Sequence, residues 1–143
     1  MAARTACSCA WASCSSRSGE TPSLGALQFT LVDVGQGLAV FEGVPGAHVY
    51  NPIGTVHGGY AATLLDSACG CAVHSALSEA QSYTTLELKV AYHRPMTDKT
   101  GPVRDEGRVT SIGRRAAFAE ATLKDAGGKL YASATSTLLV FNQ

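Results

Sequence analysis

The chain has 143 residues, 45% hydrophobic, 15% charged and 7% aromatic, and eleven Lys and Arg balance eleven Asp and Glu. That length fits one domain with one core, which buries roughly 70% of the unfolded surface. Zero net charge withholds the basic excess with which nucleic-acid binders displace counterions, and no apolar run approaches the ~20 residues of a membrane span.

In chain order, the first twenty residues carry Arg4, Arg17 and five serines, with no acid before Glu20. The apolar stretch from Ala6 to Ala12 is short and broken by Cys and Ser. A targeting peptide, a disordered tail and an over-long start all fit such a segment. Residues 1–23 are read as a disordered tail and residues 24–143 as the folded domain. Cys7, Cys9 and Cys14 fall in this tail, and Cys69 and Cys71 lie far downstream. The odd count and the absence of C-x2-C spacing give no disulfide framework and no zinc site. For Cys69 and Cys71 a catalytic thiol stands against ordinary small core residues.

From Gly25 the pattern alternates, with Leu27, Phe29 and Leu31 on one face of a first strand. The phase fails at Asp33. A second strand through Leu38, Val40 and Phe41 follows a hairpin turn at Val34–Gly37, and Pro45-Gly46 stops it. After a loop from His48 to Gly54, the segment from about His57 to Leu77 is the one long helix. Ala61, Leu64, Leu65, Ala68, Ala72 and Ala76 recur in it mostly at spacings of three and four. It is apolar nearly all round, which predicts a helix wrapped by the rest of the fold. Period two returns with Leu86, Leu88, Val90 and Tyr92, up to Pro95. Three more strands follow at Val103–Ile112, Ala116–Leu123 and Leu130–Phe141. The order β-β-α-β-β-β-β predicts an α+β fold, one long helix against an antiparallel sheet.

The residues with chemical potential concentrate between Asn51 and Gly70. Gly58 and Gly59 stand where the loop becomes the helix, where backbone N–H groups lack intrahelical partners and carry the positive end of the dipole. They either permit a tight turn or let a carbonyl or anion approach closely. Asp66 is the one charge before Glu79 in the apolar helix. A carboxylate in that setting is paired, hydrated or functional. Gly59, Ala62, Thr63 and Gly70 flank it as a stripe of small residues that admits a neighbouring backbone or a ligand. Seven of the eleven basic residues fall between Lys89 and Arg115. They form either a solvated face or, at Arg114-Arg115, a clamp for phosphates. His74 is eight residues from Asp66, not at metal-pair spacing, and His48 and His93 have no evident partners.

The run Asn51 to Gly70, the strand Thr85-Leu-Glu-Leu-Lys-Val-Ala-Tyr-His-Arg-Pro95 and the turn Gly113-Arg-Arg resemble the hotdog-fold acyl-CoA thioesterases. In particular they resemble the phenylacetate-degradation and Arthrobacter-type 4-hydroxybenzoyl-CoA branch. The resemblance covers roughly residues 25 to 141. It implies a hotdog fold, a helix wrapped by an antiparallel sheet, working as a homodimer at minimum and as a homotetramer in the usual assembly. It further implies a hydrolase of acyl-CoA; a cytoplasmic location without cofactor is expected, and spacing, charge and the lack of a long apolar run set no metal, nucleic-acid or membrane partner beside it. By the same resemblance Asp66 is the nucleophile or general base, and the Gly58 N–H polarises the thioester carbonyl. Asn51 orients water or carboxylate, and His57 lies beside the site. Thr85, rather than Thr84, is the hydroxyl that holds the water. Gly59, Gly70, Arg114 and Arg115 are carried as substrate-binding positions. Some relatives have Thr where this chain has Gly70, so details of an aromatic substrate do not transfer.

Eight helical residues at ~1.5 Å each set Gly58 and Asp66 about 12 Å apart, so one thioester carbon cannot touch both within a chain. The expected resolution is that Asn51, His57 and Gly58 of one protomer face Asp66 and Thr85 of another. Two rival readings remain at this point: a hotdog enoyl-thioester hydratase built on His57, and a non-catalytic acyl-CoA-binding module.

Overall fold

The computed structural model describes residues 22–143. Residues 1–21, with Cys7, Cys9 and Cys14, lie outside the described residues, and of the segment read as a disordered tail Pro22 and Ser23 instead begin the first helix. A short helix α1 (Pro22–Leu27) leads into β1 (Phe29–Gly35) and β2 (Leu38–Gly43). The central helix α2 (Gly58–His74) follows, then β3 (Gln81–Tyr92), β4 (Val103–Ile112), β5 (Ala116–Asp125) and β6 (Leu130–Asn142). The six strands make one sheet in the order β1-β2-β4-β5-β6-β3, antiparallel at every pairing. The central helix touches all six strands. This is the α+β arrangement that the sequence predicted.

Small residues explain how closely the sheet fits round the helix. The inward positions of β5 and β6 include Ala117, Ala119, Ala121, Ala132 and Ala134, all buried. On β4, a Cβ at Gly107 would run into the backbone carbonyl of Ala68 in the helix. Glycine is required there by contact. Around this seam Leu64, Leu65, Leu123, Leu138, Phe29 and Phe41 are fully buried, and each such side chain contributes roughly 1.5–3 kcal/mol of burial.

Three expectations need correction. First, residues 25–27 belong to helix α1, and the strand begins only at Phe29. Leu27, Phe29 and Leu31 share a period-two spacing, yet Gln28 takes φ +55° and resets the chain direction between helix and strand. The phase failure at Asp33 is a bulge, with the pairing register shifting between Leu31 and Asp33. Second, the central helix is not wrapped all round. Tyr60, Ala61, Leu64, Leu65, Ala68, Cys69, Ala72 and Val73 are buried, whereas Thr63, Asp66 and Ser67 are half-buried along an open stripe. A single concave sheet covers one side only. Third, β3 carries a bulge between Thr85 and Glu87. It turns Leu86 outward, 61% exposed, and gives the inner face to Tyr83, Thr85, Leu88 and Val90.

Candidate active site

The loop before the central helix is built by its own side chains. Asn51 Oδ1 accepts from the backbone N–H of Ile53 (3.1 Å) and of Thr55 (3.2 Å), and its amide donates to Thr55 Oγ1 (3.1 Å). Asn51 is thereby tied into the turn that Gly54 closes at φ +82°. The next segment is pinned by Val56 N–H to Met96 O (2.9 Å) and His57 N–H to Val49 O (2.7 Å).

His57 then caps the helix. Its Nδ1 accepts from the Gly59 N–H at 2.8 Å. With Nδ1 accepting, the neutral ring carries its proton on Nε2. The Gly59 N–H is occupied by the cap, while the Gly58 N–H, first of the helix, has no partner within it. These groups open onto a cavity of about 320 Å³ lined by His57, Gly58, Ala61, Tyr92, Met96 and Tyr131 among others. His93, at its rim, does have a partner, with Nε2 lying 2.9 Å from Ser133 Oγ.

Two turns along, Asp66 faces a second and smaller cavity. Thr85 Oγ1 donates to Asp66 Oδ1 at 3.0 Å. Thr84, the other register, points outward and is exposed. The bulge that follows Thr85 leaves its hydroxyl on the inner face. The cavity measures about 190 Å³, and Leu24, Phe41, Gly70, Tyr83 and Thr85 help line it. Gly70 is needed for its shape: a Cβ there would sit 2.9 Å from the Tyr83 hydroxyl. Where some relatives place a Thr, this chain gives the space to a tyrosine.

The structure thus brings Asp66 together with Thr85 and Gly70, and His57 together with Gly58 and Gly59, whereas the Asn51 side chain is engaged within its own loop and lines neither cavity. The two groups remain about 12 Å apart along one helix. Arg114 and Arg115 are exposed in the β4–β5 turn, outside both cavities. Arg104 and Arg108, farther back along β4, are engaged with Glu42 and Glu106. Cys69 is buried, and burial, with the nearby charges of Asp105, Asp66 and Glu120, pushes its thiol up to about 12. A thiol so held is not a thiolate at neutral pH, and the core reading of Cys69 prevails. Cys71 instead lines the Asp66 cavity. Among the described residues no group of three His, Cys, Asp or Glu side chains is placed to hold a metal.

Sequence reasoning missed Tyr83, Tyr92 and Asp105. The two tyrosines read as ordinary members of an alternating strand. Tyr83 follows the turn out of the helix and Tyr92 stands at the last strand position before Pro95, and neither position by itself signals a role at the site. Asp105 is the one fully buried carboxylate among the described residues. It is 0% exposed on β4 with neither oxygen hydrogen-bonded, and burial raises its carboxyl well above the usual range.

Comparison with known proteins bears on the family and the fold. The proofreading thioesterase EntH of Klebsiella pneumoniae is 31% identical over 83 residues, 58% of this chain and 59% of that protein. An esterase-named protein of Halobacterium salinarum is 42% identical over 69 residues, 47% of this chain and 44% of its own length. The chain therefore spans about half the length of these curated relatives. Among solved structures, the phenylacetic acid degradation protein PaaI of Thermus thermophilus, as its N33D mutant, superposes with a TM-score of 0.75 at 28% identity. The match covers 83% of this chain and 98% of that one. Residues 53–132, more than half of the chain, match the Thioesterase superfamily, and the chain is a hotdog-fold member of that superfamily.

Proposed function

We propose that this protein hydrolyses acyl-CoA thioesters to a carboxylic acid and free coenzyme A, with Asp66 as the reactive carboxylate. One observation carries the reading. Asp66 has one oxygen held by the Thr85 hydroxyl at 3.0 Å and lies half-buried against an open cavity. A carboxylate so fixed can take a proton from water or attack a carbonyl carbon itself. A module that only bound acyl-CoA would have no use for it.

In the general-base form, Asp66 removes a proton from water as the water oxygen adds to the thioester carbon. The carbonyl oxygen becomes an oxyanion, and the Gly58 N–H at the positive helix end stabilises it. Collapse breaks the carbon–sulfur bond, and the thiolate leaves with a proton returned from Asp66. In the nucleophilic form Asp66 bonds the acyl carbon first, the carbon–sulfur bond breaks and coenzyme A leaves as thiolate; water then hydrolyses the anhydride, which frees the acid, restores the Asp66 carboxylate and supplies the proton that the thiolate takes up. Neither form needs a cofactor or a metal.

Because Gly58 and Asp66 of one chain cannot reach a single carbon, the site is assembled from two protomers. The His57–Gly58 end of one meets the Asp66–Thr85 stripe of the other. The open side of the central helix is the surface such a partner would cover. A homodimer is the minimal active unit in this reading and a homotetramer the full assembly. Arg114 and Arg115 supply positive charge for the coenzyme A phosphates, and the cytoplasm supplies the substrate.

The test is a panel of short, long and aromatic acyl-CoAs with released thiol as the readout. Thiol release by the wild type, lost in Asp66→Asn, supports the reading. Binding without release identifies an acyl-CoA-binding module, and loss of enoyl absorbance without thiol identifies a hydratase.

A further inference from the structure

The helix N-terminus that this mechanism uses is held by a residue from outside the motif. Tyr92 ends β3, and its side chain lies against Gly58 instead of the core. Its hydroxyl donates to the Gly58 carbonyl at 2.9 Å. Its ring occupies the space a Gly58 side chain would need: a Cβ there would sit 3.1 Å from both Cζ and Oη and 3.2 Å from Cε1. The residue is still 57% exposed, so burial of apolar surface does not account for its placement. It borders the cavity onto which His57 and Gly58 open.

The peptide unit between Gly58 and Gly59 is consequently gripped at both ends. Its carbonyl accepts from Tyr92, and its N–H donates to His57 Nδ1 at 2.8 Å. Glycine has the widest choice of backbone angles and no side chain to limit them. A free N–H on such a residue keeps a fixed direction only if its surroundings impose one. The N–H itself lies in the His57–Gly58 peptide, whose carbonyl accepts from the Tyr60 N–H at 2.9 Å, and the clamped Gly58–Gly59 peptide, with the Tyr92 ring packed beside it, fixes the plane on the other side of the Gly58 Cα.

We propose that Tyr92 is a positioning residue that aims the Gly58 N–H at the thioester carbonyl oxygen. The proposal rests on the hydrolase reading above. Tyr92 acts through Gly58 and contributes no chemistry of its own. Stabilisation by a preorganised donor exceeds that by a mobile one because no reorganisation is needed when charge develops. A Cβ at position 58 would be in tight contact with the ring, which would have to shift by a few tenths of an ångström.

Tyr92→Phe keeps the ring and deletes the donor. The expected result is a fall in kcat of about three- to tenfold, the scale of one neutral hydrogen bond. KM should be unchanged and the melting temperature should match the wild type. A purely structural role would move the melting temperature instead, and a substrate contact would move KM. The second arm is a cycle. Gly58→Ala and Tyr92→Ala are each expected to lower kcat. In the double variant the new methyl no longer meets the ring, so the combined loss should be smaller than the product of the two. A third readout does not depend on activity. In Tyr92→Phe the amide resonances of Gly58 and Gly59 should shift, while those of the Asp66 turn stay in place. Unmoved Gly58 and Gly59 amides, unchanged kcat in Tyr92→Phe, or strictly multiplicative losses would each overturn the proposal. If the wild type releases no thiol from any acyl-CoA, the hydrolase reading fails separately, and the resonance shifts still decide whether Tyr92 positions this backbone.

Discussion

Two carboxylates face each other's elements near the middle of this fold, and their circumstances are opposite. Asp66, on the helix, is half-buried, held by Thr85 and open to a cavity. Asp105, on β4 beneath that helix, is fully buried with both oxygens unpaired. Burial alone would nominate Asp105 as the unusual residue, and its carboxyl is indeed raised far above the ordinary range. Yet it is fully buried and lines neither of the two cavities. Asp66 shows the combination that chemistry requires, an oriented oxygen beside accessible volume. A perturbed group marks a reactive site only when something can reach it.

The largest effect expected is in Asp66→Asn. The amide has the same shape and can still accept from Thr85, but it neither takes a proton nor attacks. Thiol release should fall by roughly 10²–10⁴-fold, while the melting temperature and acyl-CoA binding stay near the wild type. Near-wild-type kcat in this variant would break the contrast at once.

This contrast was only half legible in the sequence. The Asp66 helix was evident because its apolar spacing of three and four left one charge without company. The strands were evident from period two. Asp105 was hidden because Val103-Arg-Asp-Glu-Gly-Arg108 reads as a polar edge with charge on both faces. Only the pairing register shows that Arg104 and Glu106 look out while Asp105 looks in between Val103 and Gly107. The choice of Thr85 over Thr84 came from resemblance, and the structure supplies a physical reason in the bulge at Leu86. Tyr92 was hidden for a different cause. Its contact with Gly58 joins residues 34 apart, and no local pattern encodes that.

A subunit-mixing experiment sharpens the statement that Asp66 works across an interface. Gly58→Val and Asp66→Asn should each be nearly inactive alone. In a mixed dimer one composite site carries both defects and the other carries neither. Random exchange should therefore restore roughly a quarter of wild-type activity, since half the dimers are mixed and each has one intact site. If exchange is demonstrated and no activity returns, each chain holds its own site.

Asp66 also needs something that Asp105 does not. The proposed substrate, acyl-CoA, is a polyanion that would arrive beside a carboxylate on a protein with no net charge. Local cations must offset this. Arg114 and Arg115 are exposed, while Arg104 and Arg108 are tied to acids. Replacing both with Gln should raise KM for acyl-CoA severalfold with little change in kcat. Acyl-pantetheine, which lacks the nucleotide phosphates, should show no penalty, and added salt should reproduce the effect on acyl-CoA. Equal losses on the two substrates would make the arginines structural.

The smallest effect on catalysis, and the most direct check on the other half of the contrast, belongs to Asp105→Asn. Asp105 touches neither cavity, so kcat and KM should match the wild type. Stability should differ in its dependence on pH. The unfolded chain ionises Asp105 near the ordinary carboxylate value of about 3.9, whereas the folded chain holds the proton to much higher pH. Between those two points the folded state binds more protons than the unfolded state, so stability falls as pH rises. Below the lower point this contribution is fully present, and it is lost progressively up to the folded value. The slope for one such group is at most about 1.4 kcal/mol per pH unit. Asn has the same volume and does not titrate, so the variant should lose this slope, and wild type and variant should differ increasingly from pH 4 upward. Denaturant melts at half-unit intervals measure it directly. Parallel stability curves for the two proteins would mean that Asp105 finds a partner or solvent in solution, and a loss of activity in Asp105→Asn would mean that the two carboxylates are coupled through the helix.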